Sequence, residues 1–244
     1  MVTIAILNES TVLTDAQVQP VVAALQKQVT NDFCVAWGLA APTLHFVPKG
    51  QIAPLGAWQL AVLDNSDQAG ALGYHDVTAE DLPLGKVFAA DDLKDGVSWS
   101  VTMSHELLEM LGDPLINLTA VVQTAQKSGR IYAYEACDAC EDDSLGYQID
   151  GILVSDFVTP FWFVPGAPAP YDHMKKITKP LQILSGGYIG YLTFTSKKGW
   201  TQITADGAPG GKPAKPGSRR ERRTRGRHNW KKSTVKVKGP ECTP

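Results

Sequence analysis

Ser104-His105-Glu106-Leu107-Leu108-Glu109-Met110-Leu111-Gly112-Asp113-Pro114 is the stretch on which the reading of this chain turns. Val101, Ser104, Leu107, Leu108 and Leu111 recur at helical spacing, and Gly112 supplies a stop. The pattern predicts a helix over residues 97–112. His105 and Glu109 stand four residues apart and so share a face, with Glu106 beside them. The plain alternative is a solvated acidic helix with one His. Leu107, Leu108 and Leu111 argue against it, because they predict a packed helix. A His–Glu–Glu set without partners would be costly there.

Two His four apart on a helix bind a metal in HExxH hydrolases, and the Glu between them is the general base. Here Glu109 takes the place of the second His. A carboxylate also ligates Zn²⁺, at roughly 2.0–2.2 Å. His105 and Glu109 are therefore candidate ligands and Glu106 the candidate base. Asp113, four residues further, can be a third ligand, a partner of a ligand, or a cap for the chain that follows. A second acidic cluster lies downstream: Glu135-Ala-Cys137-Asp138-Ala-Cys140-Glu141-Asp142-Asp143. One imidazole among several carboxylates suits Zn²⁺ first, and Mn²⁺, Fe²⁺ and Ca²⁺ are compatible too. His75, in Gly-Tyr-His-Asp, is a candidate to line the same site. Tyr147, Tyr188 or His75 is available to stabilise an oxyanion. Cys137-x-x-Cys140 lacks the second CxxC of a zinc ribbon, and the acids around it would raise its thiol pKa values. A disulfide or buried pair is the first reading of it, a second metal site the next, and redox catalysis the last.

Outward from this helix, residues 2–7 form a short β-branched run read as a buried strand. A helix over 16–37 follows, capped by Thr14 or Asp15. Residues 43–47 and 58–63 read as strands, 71–75 and 86–90 as edge strands. Beyond Arg130 the sequence is loop-rich, with short strands at 131–134, 152–158, 161–164 and 188–194. The order predicts an α+β body with a mixed sheet. No apolar run reaches the roughly 20 residues needed to span a bilayer, and no secretory signal is evident at the N-terminus. Four Cys in 244 residues exclude a disulfide scaffold.

The net charge of −2 conceals an asymmetry. Residues 207–244 hold twelve Lys and Arg against Glu221 and Glu241, a surplus of ten positive charges, so residues 1–206 carry −12. Residues 207–217 read as a Pro/Gly linker, and the basic tail beyond them holds Arg219, Arg220, Arg222, Arg223, Arg225, Arg227, Lys231 and Lys232. Arg binds phosphates in a bidentate manner, and Trp230 offers a stacking surface. The tail is expected to meet nucleic acid, an acidic protein surface or a neighbouring subunit, and the chain is expected in the cytoplasm or on a virion rather than in a membrane.

The run Ala71-Leu-Gly-Tyr-His-Asp76, the SHELLEMLGDP helix, EACDACE, and Val154-Ser-Asp-Phe-Val-Thr-Pro-Phe-Trp162 together resemble a group of bacterial and phage zincin-like proteins. They are more distantly similar to the plant EXORDIUM-like proteins. The resemblance covers about residues 1–195 and leaves out the tail. It implies a zincin-like metallopeptidase fold: a mixed, twisted sheet, an active-site helix under it, and an edge strand near Gly73-Tyr-His75 able to pair with an extended peptide. In gluzincin-type enzymes the third ligand is a downstream Glu with an Asp a few residues on. Glu135 takes the first role by this resemblance, and Asp138 the second or that of an alternative ligand. The implied activity is hydrolysis of peptide bonds by metal-activated water. Glu109 departs from the working protease pattern. The other expectation is therefore a catalytically degenerate zincin serving as a virion component, held by its basic tail.

Overall fold

The computed structural model describes residues 2–68, 71–195, 199–205 and 209–210. The chain runs β1 (Thr3–Asn8), α1 (Asp15–Lys27), a π-helical turn (Gln28–Phe33), α2 (Cys34–Trp37), β2 (Thr43–Val47) and β3 (Trp58–Leu63). There follow β4 (Gly73–Val77), β5 (Pro83–Phe88), α3 (Ala89–Asp95) and α4 (Trp99–Gly112). The second half holds β6 (Thr119–Ala125), β7 (Ser128–Ala133), β8 (Tyr147–Ile149), β9 (Ile152–Val154), β10 (Tyr188–Thr193), β11 (Thr201–Thr204) and β12 (Pro209–Gly210). It is an α+β protein.

The first sheet has the order β2-β1-β3-β5-β4. Its first four strands run parallel, and β4 lies antiparallel against β5 at the edge. Strand alternation divides its faces. Ile4, Ile6, Leu60, Val62 and Val87 pack on one face against Val18, Val21, Leu25 and Val29 of the first helical segment and Met103, Leu107 and Leu108 of α4. Ala5 and Leu7 turn to the other face, where Val47 and Ala57 cover them. Burying a Leu, Ile or Val side chain is worth roughly 1.5–3 kcal/mol, so this core is the main force holding α4 under the sheet. α4 is buried from Ser100 to Gly112, its polar Ser104, His105, Glu106 and Glu109 included. The solvated-helix reading is thereby excluded.

A second sheet, β12-β11-β10-β7-β6, is antiparallel and packs around Trp162, Phe163, Tyr171 and Ile189. β8 and β9 form a hairpin whose turn, Asp150-Gly151, has positive φ at both residues (52° and 80°). Asp-Gly accepts this conformation readily, and it matches the strand twist.

Several sequence expectations shift. Residues 86–90 are not an edge strand: β5 lies between β3 and β4, and the buried Lys86 sends its ammonium to Asp67 (2.6 Å). The helix expected over 16–37 widens into a π-helical turn at Gln28. Residues 161–163 lie in a 3₁₀ turn, Pro160–Phe163, opened by its proline, and 152–158 is a strand only to Val154. β6, β8 and β11 carry no strong apolar alternation and escape the pattern. No helix among the described residues is long and apolar enough to cross a membrane. Pro209-Gly210, inside the expected linker, pairs with β11. The basic side chains from Arg219 to Lys232 lie outside the described residues.

Candidate metal centre

Three segments converge on one carboxylate. The first is α4 itself. Ser98 begins the helix and donates its backbone N–H to Asp143 Oδ2 (2.8 Å). Further along, Ser104 Oγ donates to Gln28 Oε1 (2.7 Å) and accepts the backbone N–H of Ser155 (3.1 Å). Gln28 Nε2 in turn donates to the Ser155 carbonyl (2.9 Å) and to the Tyr147 hydroxyl (3.2 Å). These buried bonds fix the rotation of α4 about its axis, and with it the aim of His105, Glu106 and Glu109.

The second segment is edge strand β4. Gly73 and His75 share its α4-facing side, by alternation. His75 is fully buried, with Nδ1 3.6 Å from Glu109 Oε2 and 3.7 Å from Glu106 Oε2. The helix comes so close that a Cβ on Gly73 would stand 2.8 Å from Glu106 Cγ and from Thr102 Cγ2. Opposite His75 in the register is Gly85, where a Cβ would meet Leu60 Cδ1 at 2.4 Å. Glycine at 73 is what lets the edge strand lie on the helix, and glycine at 85 leaves room for the Leu60 side chain of β3.

The third segment is the loop after β7. It tightens into a 3₁₀ turn at Asp138–Cys140, and both Glu135 and Asp138 are buried. Between them, the Cys137 backbone N–H donates to Glu109 Oε1 (3.2 Å). His105 Nε2 lies 3.3 Å from Glu109 Oε1 and 3.4 Å from Asp138 Oδ1.

Two donor groups result: His105, Glu109 and Asp138, and His75, Glu109 and Glu135. Within each, one ligand atom per residue lies within 4.8 Å of the others. Among the described residues these buried His, Glu and Asp side chains can hold a metal ion. The donor spacings fit one. Charge-assisted N–H···O bonds settle at about 2.7–2.9 Å, whereas metal–ligand bonds of about 2.1 Å in tetrahedral geometry put neighbouring donors about 3.4 Å apart.

Burial and the crowding of carboxylates shift the titratable groups here. Burial pushes the His105 pKa down, but the charge of Glu109, hydrogen bonding with Asp138 and Glu109, and the charge of Glu106 raise it well above its usual value. Glu141, on the same loop, is pushed up to about 8 by burial, which outweighs the opposing His105; the charges of Asp138 and Glu109 add to the rise. Burial first, then neighbouring carboxylates, raises the thiols of Cys137 and Cys140 well above their usual values. Both cysteines are free and buried, so the pair exists but the disulfide does not. Neither thiol belongs to a donor group.

The structure thus sets Asp138 beside His105, and Glu135 beside His75 on the other side of Glu109. Asp113 belongs to neither donor group. It takes the capping role, its carboxylate accepting backbone N–H groups of Asn117 (2.9 Å) and Leu118 (3.1 Å). Tyr147 donates to Asp32 Oδ2 (2.8 Å) and its ring lies tilted 4.6 Å from that of His173, and Tyr188 opens β10. Gln28 gave no signal in the sequence. His75 did, through its place in Gly-Tyr-His-Asp near an expected edge strand.

No family model, no curated protein and no solved structure matches this chain.

Proposed function

We propose that this protein is a metal-dependent hydrolase of peptide bonds with a zincin-like arrangement, Zn²⁺ being the first candidate cation and Mn²⁺, Fe²⁺ and Ca²⁺ the others. The observation that carries the reading is the buried set His105, Glu109 and Asp138, whose donor atoms lie 3.3 and 3.4 Å apart at the pairs that include His105. The mixed sheet with its antiparallel edge strand over the helix supports it further.

A divalent cation held there would polarise a carbonyl and ease deprotonation of water. His105, Glu109 and Asp138 would hold the ion. Glu106, between the two ligands on α4, would accept the water's proton on its carboxylate and return it to the leaving amine nitrogen. His75 stands on the strand side of both carboxylates, its Nδ1 3.7 Å from Glu106 Oε2 and 3.6 Å from Glu109 Oε2. β4, outermost in its sheet, would take an extended peptide alongside it.

The test is proteolysis of a denatured protein or peptide library by the metal-loaded wild type and by Glu106→Gln, with metal content measured on both. Activity in the wild type alone, at equal metal content, supports the hydrolase. A second reading is favoured by Glu109 being fully buried. Here the ion is a staple in a virion component attached through the basic tail. Equal metal content with no hydrolysis by either protein would favour it.

A further inference from the structure

We infer that the centre holds two divalent cations, bridged by the carboxylate of Glu109. This rests on the metal centre proposed above and adds a second ion to it.

The two oxygens of Glu109 look to opposite sides. Oε1 faces His105 Nε2 at 3.3 Å, and Oε2 faces His75 Nδ1 at 3.6 Å. Glu109 belongs to two small donor sets, each with one imidazole and one further carboxylate. Asp138 closes the first set and Glu135 the second. The sets share Glu109 alone, and among the described residues no larger group gathers its donors to one point. A single ion placed at either set would therefore leave the other imidazole and carboxylate outside its coordination. Two ions use all five residues. Paired metals in hydrolytic centres lie roughly 3.5–4 Å apart, a span that one carboxylate bridges.

Charge leads to the same count. Glu106, Glu109, Glu135 and Asp138 are four buried carboxylates around two imidazoles. One dication offsets half of their negative charge and two offset all of it, with both imidazoles neutral as ligands must be. Leaving buried charge uncompensated is expensive. The local sequence serves both sets at once. Glu135 and Asp138 flank Cys137, whose backbone N–H holds Glu109 Oε1, so one loop delivers both terminal carboxylates. One imidazole per ion among carboxylates is a hard-to-borderline environment, suited to Mn²⁺ and Fe²⁺ as well as Zn²⁺.

The experiment uses the full chain, stripped with chelator and titrated with Mn²⁺. Bound ions per chain are counted by native mass spectrometry, and electron paramagnetic resonance reports exchange coupling between them. Two Mn²⁺ per wild-type chain with an exchange-coupled spectrum are expected. His75→Gln and Glu135→Gln should each bind one, with an isolated six-line spectrum, and circular dichroism checks that each variant is folded. One ion per wild-type chain, unchanged in folded Glu135→Gln, would overturn the pair while leaving the single-ion hydrolase intact. Two ions retained in both variants would overturn it as well. No ion in the wild type would remove both readings together.

Discussion

Gly73 and Glu106 are in direct apposition: a Cβ on the glycine would stand 2.8 Å from Glu106 Cγ and 2.9 Å from its Oε1. The edge strand rests on the carboxylate proposed as the general base. Gly73→Ala must therefore push either the strand or the Glu106 side chain. Overpacking of this kind costs roughly 1–3 kcal/mol. Urea denaturation should show that loss, and any hydrolysis should fall more than metal content does.

Glu106→Gln keeps the size and burial of the side chain and removes its basicity. A positioned general base contributes roughly 10²–10⁴-fold to rate. We expect kcat to fall within that range with the metal retained, as measured by turnover and elemental analysis on the same sample.

Ser104→Ala removes a hydroxyl that both donates to Gln28 Oε1 and accepts from Ser155 N–H. Burying groups left without their partner costs about 1–3 kcal/mol each. The variant should lose stability of that order in a thermal or urea melt. Metal affinity should weaken too, because the rotation of α4 is then less firmly set.

This connection shows where the sequence was legible and where it was not. β1, β2, β3 and α4 were readable because each is a contiguous apolar or periodic run that must be buried. His105, Glu106 and Glu109 came with α4, since spacing of one and four residues fixes their relation on any helix. Partners across the fold were another matter. Whether Glu135 or Asp138 meets His105 depends on how the loop after β7 turns, which no local pattern records. Residues 86–90 read as an edge strand because they are short and set off from residues 71–75 by polar, Pro-containing sequence. The burial of Lys86 depends on Asp67, nineteen residues away in sequence. Gln28 is polar and lies within an apolar helical stretch, and only its contacts with Ser104 and Ser155 explain it.

Asp156 gives a pH dependence away from the metal centre. Burial first, then the charge of Asp172 and a side-chain hydrogen bond with it, raise the Asp156 pKa from 3.8 to about 8. Between these values the folded protein holds a proton that the unfolded chain releases. Stability from this group is thus greatest below pH 3.8, falls as pH rises, and is flat above about 8. Asp92, raised to about 7 chiefly by burial, and Glu141 act in the same sense. In urea titrations at pH 5 and pH 8, Asp156→Asn should lessen the difference between the two, without abolishing it. An unchanged difference would remove Asp156 from this account.

Every role proposed for this site depends on metal binding at Glu109. Anomalous X-ray scattering at the absorption edge of the loaded metal, from crystals of the full chain saturated with Mn²⁺ or Zn²⁺, tests it most directly. A peak is expected within bonding distance of His105 Nε2, Glu109 and Asp138, with the second ion beside His75 and Glu135. Well-ordered density for these side chains with no anomalous peak at either position would contradict it.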